Sequence, residues 1–269
     1  MTLDVRNTTV LITGASAGLG TEFAHRFAAR GADLVLVARR VDRLEDVAAQ
    51  IRSKHDVAVT VLPADLAKPG AGARLKQQLD DRGITVSSLV NNAGFGSHGA
   101  FVGADADRAA REIQLNVGSL VELSRVFMPD LLTGHGALVN IASTAAYQPT
   151  PGMAVYGATK AFVLSFTEAL WFEARGTTLS VLAVSPGPTE TEFFDVVGTE
   201  DAAVGRKQTA EQVVAAAFSA LDRTFNPPST VSGIANWISS ISTRLVTRRL
   251  AVLISGRMLG NVSASRQVV

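Results

Sequence analysis

Tyr156 and Lys160 stand four residues apart, a spacing that puts both side chains on one face of a helix. A free phenol titrates at about 10 and is a poor base at neutral pH. A neighbouring ammonium stabilises the phenolate and lowers that pKa toward working pH. The pair therefore reads as an acid/base couple, able to hand a proton to a developing alkoxide or to take one from an alcohol. Ser143, thirteen residues upstream, closes a strand-like run, where its hydroxyl can polarise a substrate oxygen and stabilise charge as it forms. A Tyr-x-x-x-Lys pair by itself is common and usually just a surface helix pair. Its place after Ser143, and downstream of a glycine loop, makes it specific.

That loop is Thr13-Gly14-Ala15-Ser16-Ala17-Gly18-Leu19-Gly20. Gly14 permits a tight turn, Gly18 lets the backbone approach a phosphate, and Gly20 allows close helix packing. The free N–H groups and positive dipole end of the following helix attract a pyrophosphate, so Gly14, Ser16, Gly18, Leu19 and Gly20 are assigned to a dinucleotide. The end of the second strand decides which one. A ribose 2′-hydroxyl calls for an acid there and a 2′-phosphate for arginine. The chain has Arg39 and Arg40, whose forked guanidinium matches phosphate geometry, so NADP(H) is favoured over NAD(H).

Groups placed this way need strands to deliver them. Short, β-branched apolar runs lie at Thr8–Ile12, Asp33–Ala38, Ala58–Leu62, Ser88–Asn91, Ala137–Ile141, Leu179–Val184 and, weakly, Ser229–Val231. Helical patterns fall near 18–30, 41–53, 69–82, 105–133, 155–175 and 209–222. Nearly continuous apolar strands alternating with helices predict an α/β fold: a single-domain, doubly wound (Rossmann) parallel sheet of about seven strands with helices on both faces. Such a sheet binds its ligand at the carboxyl ends of the strands, and the polar candidates cluster there.

Further residues agree in order. Asp65-Leu66 follows the third strand, Asn91-Asn92-Ala93-Gly94 the fourth, and Pro186-Gly187-Pro188-Thr189 the sixth, while Asn116 sits within the long helix. With Ser143 and Tyr156-Gly157-Ala158-Thr159-Lys160, the chain resembles the classical short-chain dehydrogenase/reductase family over roughly residues 7–232. The resemblance implies hydride transfer between nicotinamide and a carbonyl or secondary alcohol. By the same resemblance Asp65 and Leu66 hold the adenine, while Asn92, Ala93 and Gly94 support the adenosine side. Pro186, Gly187 and Thr189 contact the nicotinamide end. Lys160 bonds the nicotinamide ribose, and Asn116 holds a water that relays protons to Lys160. The family also implies a homodimer or homotetramer through the helices near 105–133 and 155–175, whose Phe162, Leu164, Phe166, Leu170 and Trp171 could equally be core. A catalytically silent NADP(H)-binding sensor or scaffold is the alternative; it would be favoured by loss of Ser143, Tyr156 or Lys160, all of which are present.

Substrate choice falls to the loops. Phe95, Thr150–Met153 and the segment 192–205 are expected as walls, with Phe193, Phe194, Val196 and Val197 suited either to closing over a lipophilic substrate or to packing the base of a mobile lid. His98 is a candidate pocket residue; His25 reads as a packed or solvated histidine, and His55 and His135 have no partner. No His/Asp/Glu cluster has metal spacing.

Composition narrows the classes further. The 269 residues include no cysteine, which excludes disulfides, thiolate metal sites and thiol catalysis. A net charge of +1 gives no case for nucleic acid. The average hides an asymmetry: Arg223, Arg244, Arg248, Arg249, Arg257 and Arg266 follow the last acid, Asp222, so residues 223–269 carry +6 and the body −5. Residues 1–235 are expected to form the cofactor and catalytic unit, and 236–269 a basic, partly apolar extension. Trp237–Leu259 reads as one helix with Ile238, Ile241, Leu245 and Val252 on one side, interrupted by Arg249. It could meet an anionic membrane surface, a second subunit, or the mouth of the pocket. With no apolar leader or spanning run, a cytoplasmic protein is expected, with peripheral membrane contact left to the tail.

Overall fold

The computed structural model describes residues 3–199 and 205–258. Seven strands run β1 (Thr9–Thr13), β2 (Asp33–Ala38), β3 (Val59–Pro63), β4 (Ser88–Asn91), β5 (Ala137–Ile141), β6 (Ser180–Ser185) and β7 (Ser229–Val231). All pair in parallel, in the order β3-β2-β1-β4-β5-β6-β7. The chain reverses direction across the sheet between β1 and β4, which opens a crevice beyond their carboxyl ends.

Alternation along each strand sends side chains to opposite faces. Val10, Ile12, Leu34 and Leu36 meet α1 (Gly18–Ala29), α2 (Val41–Arg52) and α8 (Ala210–Leu221), around a contact between the Phe27 and Phe218 rings at 4.9 Å. Leu11, Val35, Leu89 and Leu138 face α3 (Ala71–Asp80), α5 (Leu120–Thr133) and α6 (Ala154–Glu173), where Leu75, Leu123 and Phe127 fill the layer. Burial on both faces is why the strands are apolar at nearly every position. Most expected boundaries hold within two residues; β1, β3 and β6 each begin one residue later than the apolar pattern suggests.

Two expected helices divide. The run near 105–133 becomes α4 (Ala106–Ile113), a wide π-helical turn over Gln114–Ser119, and then α5. The wide turn carries Asn116, whose side chain is bonded to the backbone of Phe95. π-Turns inside helices recur at functional sites. The tail is two helices, α9 (Ile234–Ser242) and α10 (Arg248–Met258), rather than one. Ser240, Ser242 and Thr243 turn their hydroxyls back onto the carbonyls of Trp237, Ser239 and Ser240, and this competition with the helix ladder accompanies its end. Thr247 then restarts the chain by accepting from Leu250 N. Leu259 and Arg266 lie outside the described residues.

On α6, Leu164 is buried and Phe166, Leu170 and Trp171 lean on the core, whereas Phe162 is exposed and stacks on Phe166 at 5.7 Å. Among the described residues no helix is long and apolar enough to cross a membrane.

Candidate active site

The glycine loop leaves β1 at Thr13 and enters α1 through Gly18. Gly14 (φ +65) and Gly18 (φ +57) lie in the left-handed region, and a Cβ on Gly14 would come within 2.8 Å of the Asn92 amide nitrogen. The Asn92 amide donates to the carbonyls of Thr13 (2.9 Å) and Gly14 (3.2 Å). Thr13 Oγ1 in turn accepts from Asn92 N and Ala93 N, both within 3.0 Å. Asn92 thus holds the loop's shape from across the crevice. No side chain caps the first turn of α1, which leaves its N–H groups turned toward the crevice, as pyrophosphate binding requires.

Arg39 and Arg40 follow β2 along the same cavity, and Asp65 follows β3. Arg40 Nη2 donates to Ser16 of the glycine loop at 3.2 Å, while Arg39 makes no hydrogen bond or ion pair with a described residue. Asp65 accepts from Ala67 N within its own turn, and Leu66 is buried beneath it. Past β6, Pro186, Gly187 and Thr189 line the far end of the cavity, with Thr189 Oγ1 donating to Gly187 O at 3.0 Å.

Between these ends sit Ser143, Tyr156 and Lys160, brought together at one cavity of about 520 Å³. Ser143 follows β5 and its hydroxyl accepts from Ala145 N at 3.1 Å. Tyr156 and Lys160 lie on the first turns of α6. The Lys160 ammonium donates to Ile141 O at 2.7 Å and stands 5.7 Å from the centre of the Tyr156 ring. Burial pushes Tyr156 up to about 12, against the pull of the Ser143 hydroxyl and helped by the Glu112 charge. Burial likewise brings Lys160 down to about 8, with Glu112 opposing. The expected lowering of Tyr156 by Lys160 is therefore reversed in the chain alone. Lys160 is withdrawn from water and Tyr156 is half-buried in the cavity wall, and the ammonium is spent on a carbonyl rather than on the phenol. Tyr156 stands as a neutral acid, the form that protonates an alkoxide.

Asn116 does more than approach the lysine. Its amide bridges Phe95 O (2.8 Å) and Thr159 Oγ1 (3.1 Å), and its carbonyl accepts from Phe95 N (3.1 Å). It braces the loop after β4 against α6, one residue from Lys160. Two neighbours on its helix face are not singled out by the sequence. Glu112 is fully buried, neither carboxylate oxygen has a hydrogen-bond partner among the described residues, and burial raises its pKa while Ser97, Arg108 and Lys160 oppose. Arg108 lines the cavity, with Nε on Ser97 Oγ (2.9 Å) and Nη2 on Val196 O (2.7 Å). The available signal is the four-residue spacing Arg108, Glu112, Asn116.

The substrate side is closed by α7 (Phe193–Val197). Phe194 and Val197 are buried, and Phe193, Phe194 and Val196 line the cavity with Phe95 and Met153. The Phe193 ring lies 5.2 Å from that of Tyr156. Residues 200–204 of the expected wall lie outside the described residues. His98 does not line the cavity; its Nε2 is buried without a hydrogen-bond partner among the described residues. From the tail, Ser255 donates to Pro149 O at 2.7 Å and Met258 reaches the cavity, so α10 packs at its mouth.

A parallel sheet with a crossover crevice, a glycine loop and a Ser–Tyr–Lys group on one cavity defines a nucleotide-dependent oxidoreductase scaffold. The family model for short chain dehydrogenase matches residues 8–202. A sulfoacetaldehyde reductase of Chromohalobacter salexigens is 38% identical over 195 residues, covering 68% of this chain and 73% of that protein. A short-chain dehydrogenase from Sphingobium yanoikuyae, solved in complex with NADPH, superposes with a TM-score of 0.79 at 38% identity, covering 88% of this chain and 93% of that one. The structure of a 7β-hydroxysteroid dehydrogenase matches at a TM-score of 0.84 and 27% identity, covering 95% of this chain and all (100%) of that one. The chain belongs to the short-chain dehydrogenase family and is an oxidoreductase of alcohols and carbonyls.

Proposed function

We propose that the chain is an NADP(H)-dependent oxidoreductase that interconverts a lipophilic carbonyl compound and its secondary alcohol, with Tyr156 as acid/base. The observation that carries this reading is one cavity with the Ser143, Tyr156 and Lys160 group at its centre and Arg39 and Arg40 beyond the glycine loop at its end. A bound nicotinamide supplies the hydride. The chain's own residues do the rest: Ser143 polarises the substrate oxygen, Tyr156 donates or accepts the proton, and Lys160 binds the ribose and holds the field around the phenol. Asn116, beside Lys160, holds a relay water. The walls formed by Phe95, Met153, Phe193 and Val196 favour an apolar substrate. A complete Ser–Tyr–Lys group argues against a silent sensor.

Arg39 is the test of the cofactor. Arg39→Asp is expected to weaken NADPH binding about tenfold to a hundredfold, the worth of a charged hydrogen bond, and to leave NADH binding near its original value. Fluorescence titration of both nucleotides, followed by NADPH oxidation with a panel of ketones, aldehydes and steroid carbonyls, reads preference and substrate together. An unchanged preference would overturn the assignment.

The tail supports a separate role. α9 and α10 leave Trp237, Ile238, Leu245, Leu250 and Leu253 exposed among Arg244, Arg248, Arg249 and Arg257, with no acid in 223–258. We infer peripheral contact with anionic lipid, in addition to packing at the pocket mouth. The intact chain is expected to float with phosphatidylserine vesicles at low salt and not with neutral ones; equal partitioning removes this reading. Phe162 and Phe172, exposed on α6, are offered as part of a homodimer or homotetramer contact.

A further inference from the structure

The lid helix α7 is tethered at both ends by arginines, and its front tether runs into the nucleotide end of the cavity. Glu192, the residue preceding α7, places Oε2 at 2.8 Å from Arg40 Nη1 and gives its other oxygen to Arg43. The same Arg40 reaches Ser16 of the glycine loop through Nη2. The hydrogen bond from Arg40, with Arg43 helping, holds the Glu192 carboxyl below the usual range, so it is ionised at neutral pH. An anion gripped by two guanidinium groups, Arg40 just after β2 and Arg43 in the first turn of α2, is the arrangement a phosphate monoester would adopt there.

We propose that Glu192 occupies the arginine site that a 2′-phosphate takes, so that the phosphate displaces Glu192 and releases the front of the lid. The inference rests on the NADP(H) reading above. The three side chains are each more than a third exposed, so the ion pairs are weak enough to exchange. A phosphate monoester carries more charge than a carboxylate and cannot share the arginines with it without repulsion. Release at Glu192 acts directly on Phe193, which touches the catalytic tyrosine, while Arg108 keeps the rear of the lid through Val196 O. A nucleotide without the 2′-phosphate leaves Glu192 in place. Glu192 is thus a specificity-determining residue that joins cofactor choice to access of substrate.

Two nucleotides that differ at this one group test the idea: adenosine 2′,5′-bisphosphate and 5′-AMP, titrated calorimetrically into the full chain. Glu192→Gln is expected to tighten the bisphosphate about three- to tenfold and to leave 5′-AMP unchanged. Asp195→Asn removes an exposed charge from the same helix away from the arginines, and leaves both affinities as they were. Hydrogen exchange at residues 193–197 should quicken with the bisphosphate and not with 5′-AMP, and in Glu192→Gln should be fast before any ligand is added. Tighter binding of both nucleotides alike, an equal effect of Asp195→Asn, or weaker bisphosphate binding overturns the inference. A wild-type chain that does not distinguish the nucleotides overturns the NADP(H) reading and the inference with it. A wild-type preference that ignores Glu192→Gln overturns the inference alone.

Discussion

Tyr156→Phe is expected to lower turnover about a thousandfold while changing NADPH affinity by less than about twofold. The substitution removes one oxygen and keeps the ring, which Phe193 fixes from the substrate side at 5.2 Å between centroids. Cavity shape and glycine loop therefore survive, and the lost group is the proposed proton carrier. Ser143, proposed to polarise the substrate oxygen, remains, so residual activity is expected. The raised phenol adds a directional signature. At about 12 in the chain alone, Tyr156 is protonated throughout the neutral range, so carbonyl reduction should not lose its acid between about pH 6 and 8. Alcohol oxidation needs the phenolate and should climb with pH over the same interval. Near-normal turnover of the variant, or an oxidation rate that falls with rising pH, would remove Tyr156 from the acid/base role.

The frame that delivers these groups is legible in the chain because burial on both faces makes each central strand a run of apolar residues. Ser143, Pro186 and the glycine loop can then be placed simply by following each run to its carboxyl end. What escapes depends on contacts distant in sequence. The π-helical turn at Asn116 is tied to Phe95, and no local pattern predicts that bond. Glu112 looks like any glutamate on an amphipathic helix until the fold buries it beside Lys160. The direction in which the Tyr156 pKa moves escapes for the same reason. Helix spacing correctly sets the lysine beside the tyrosine, but spacing carries no information about how much water remains or which carbonyl takes the ammonium. The break between α9 and α10 is different, since the hydroxyl run from Ser239 to Thr243 is visible in the chain and competes with the helix locally.

Lys160→Met should separate stability from activity, because the fold carries this ammonium at a cost. Lys160 is 6% exposed, and burial brings its pKa from 10.5 down to about 8. A tenfold change in a protonation equilibrium is worth about 1.4 kcal/mol, so the charged form is disfavoured in the fold by roughly 3 kcal/mol. The hydrogen bond to Ile141 O returns about 1 kcal/mol of that. Methionine keeps the unbranched stem and adapts to the space, so Lys160→Met is expected to stabilise the chain by about 2 kcal/mol at pH 7. The sign follows from proton uptake. Between pH 8 and 10.5 the unfolded chain holds a proton on Lys160 that the folded chain has released, so wild-type stability from this group rises across that window. Below pH 8 the folded chain bears the full penalty, and there the variant's advantage is greatest; it fades as pH approaches 10.5. Thermal melts at pH 7 and pH 10 read the difference directly, alongside an expected loss of turnover by about two orders of magnitude or more if the proposed ribose contact and field on Tyr156 are removed. A melting advantage independent of pH would show that packing alone, and not a buried charge, separates the two proteins. A variant less stable than wild type at pH 7 would show instead that the bond to Ile141 outweighs the burial of the ammonium.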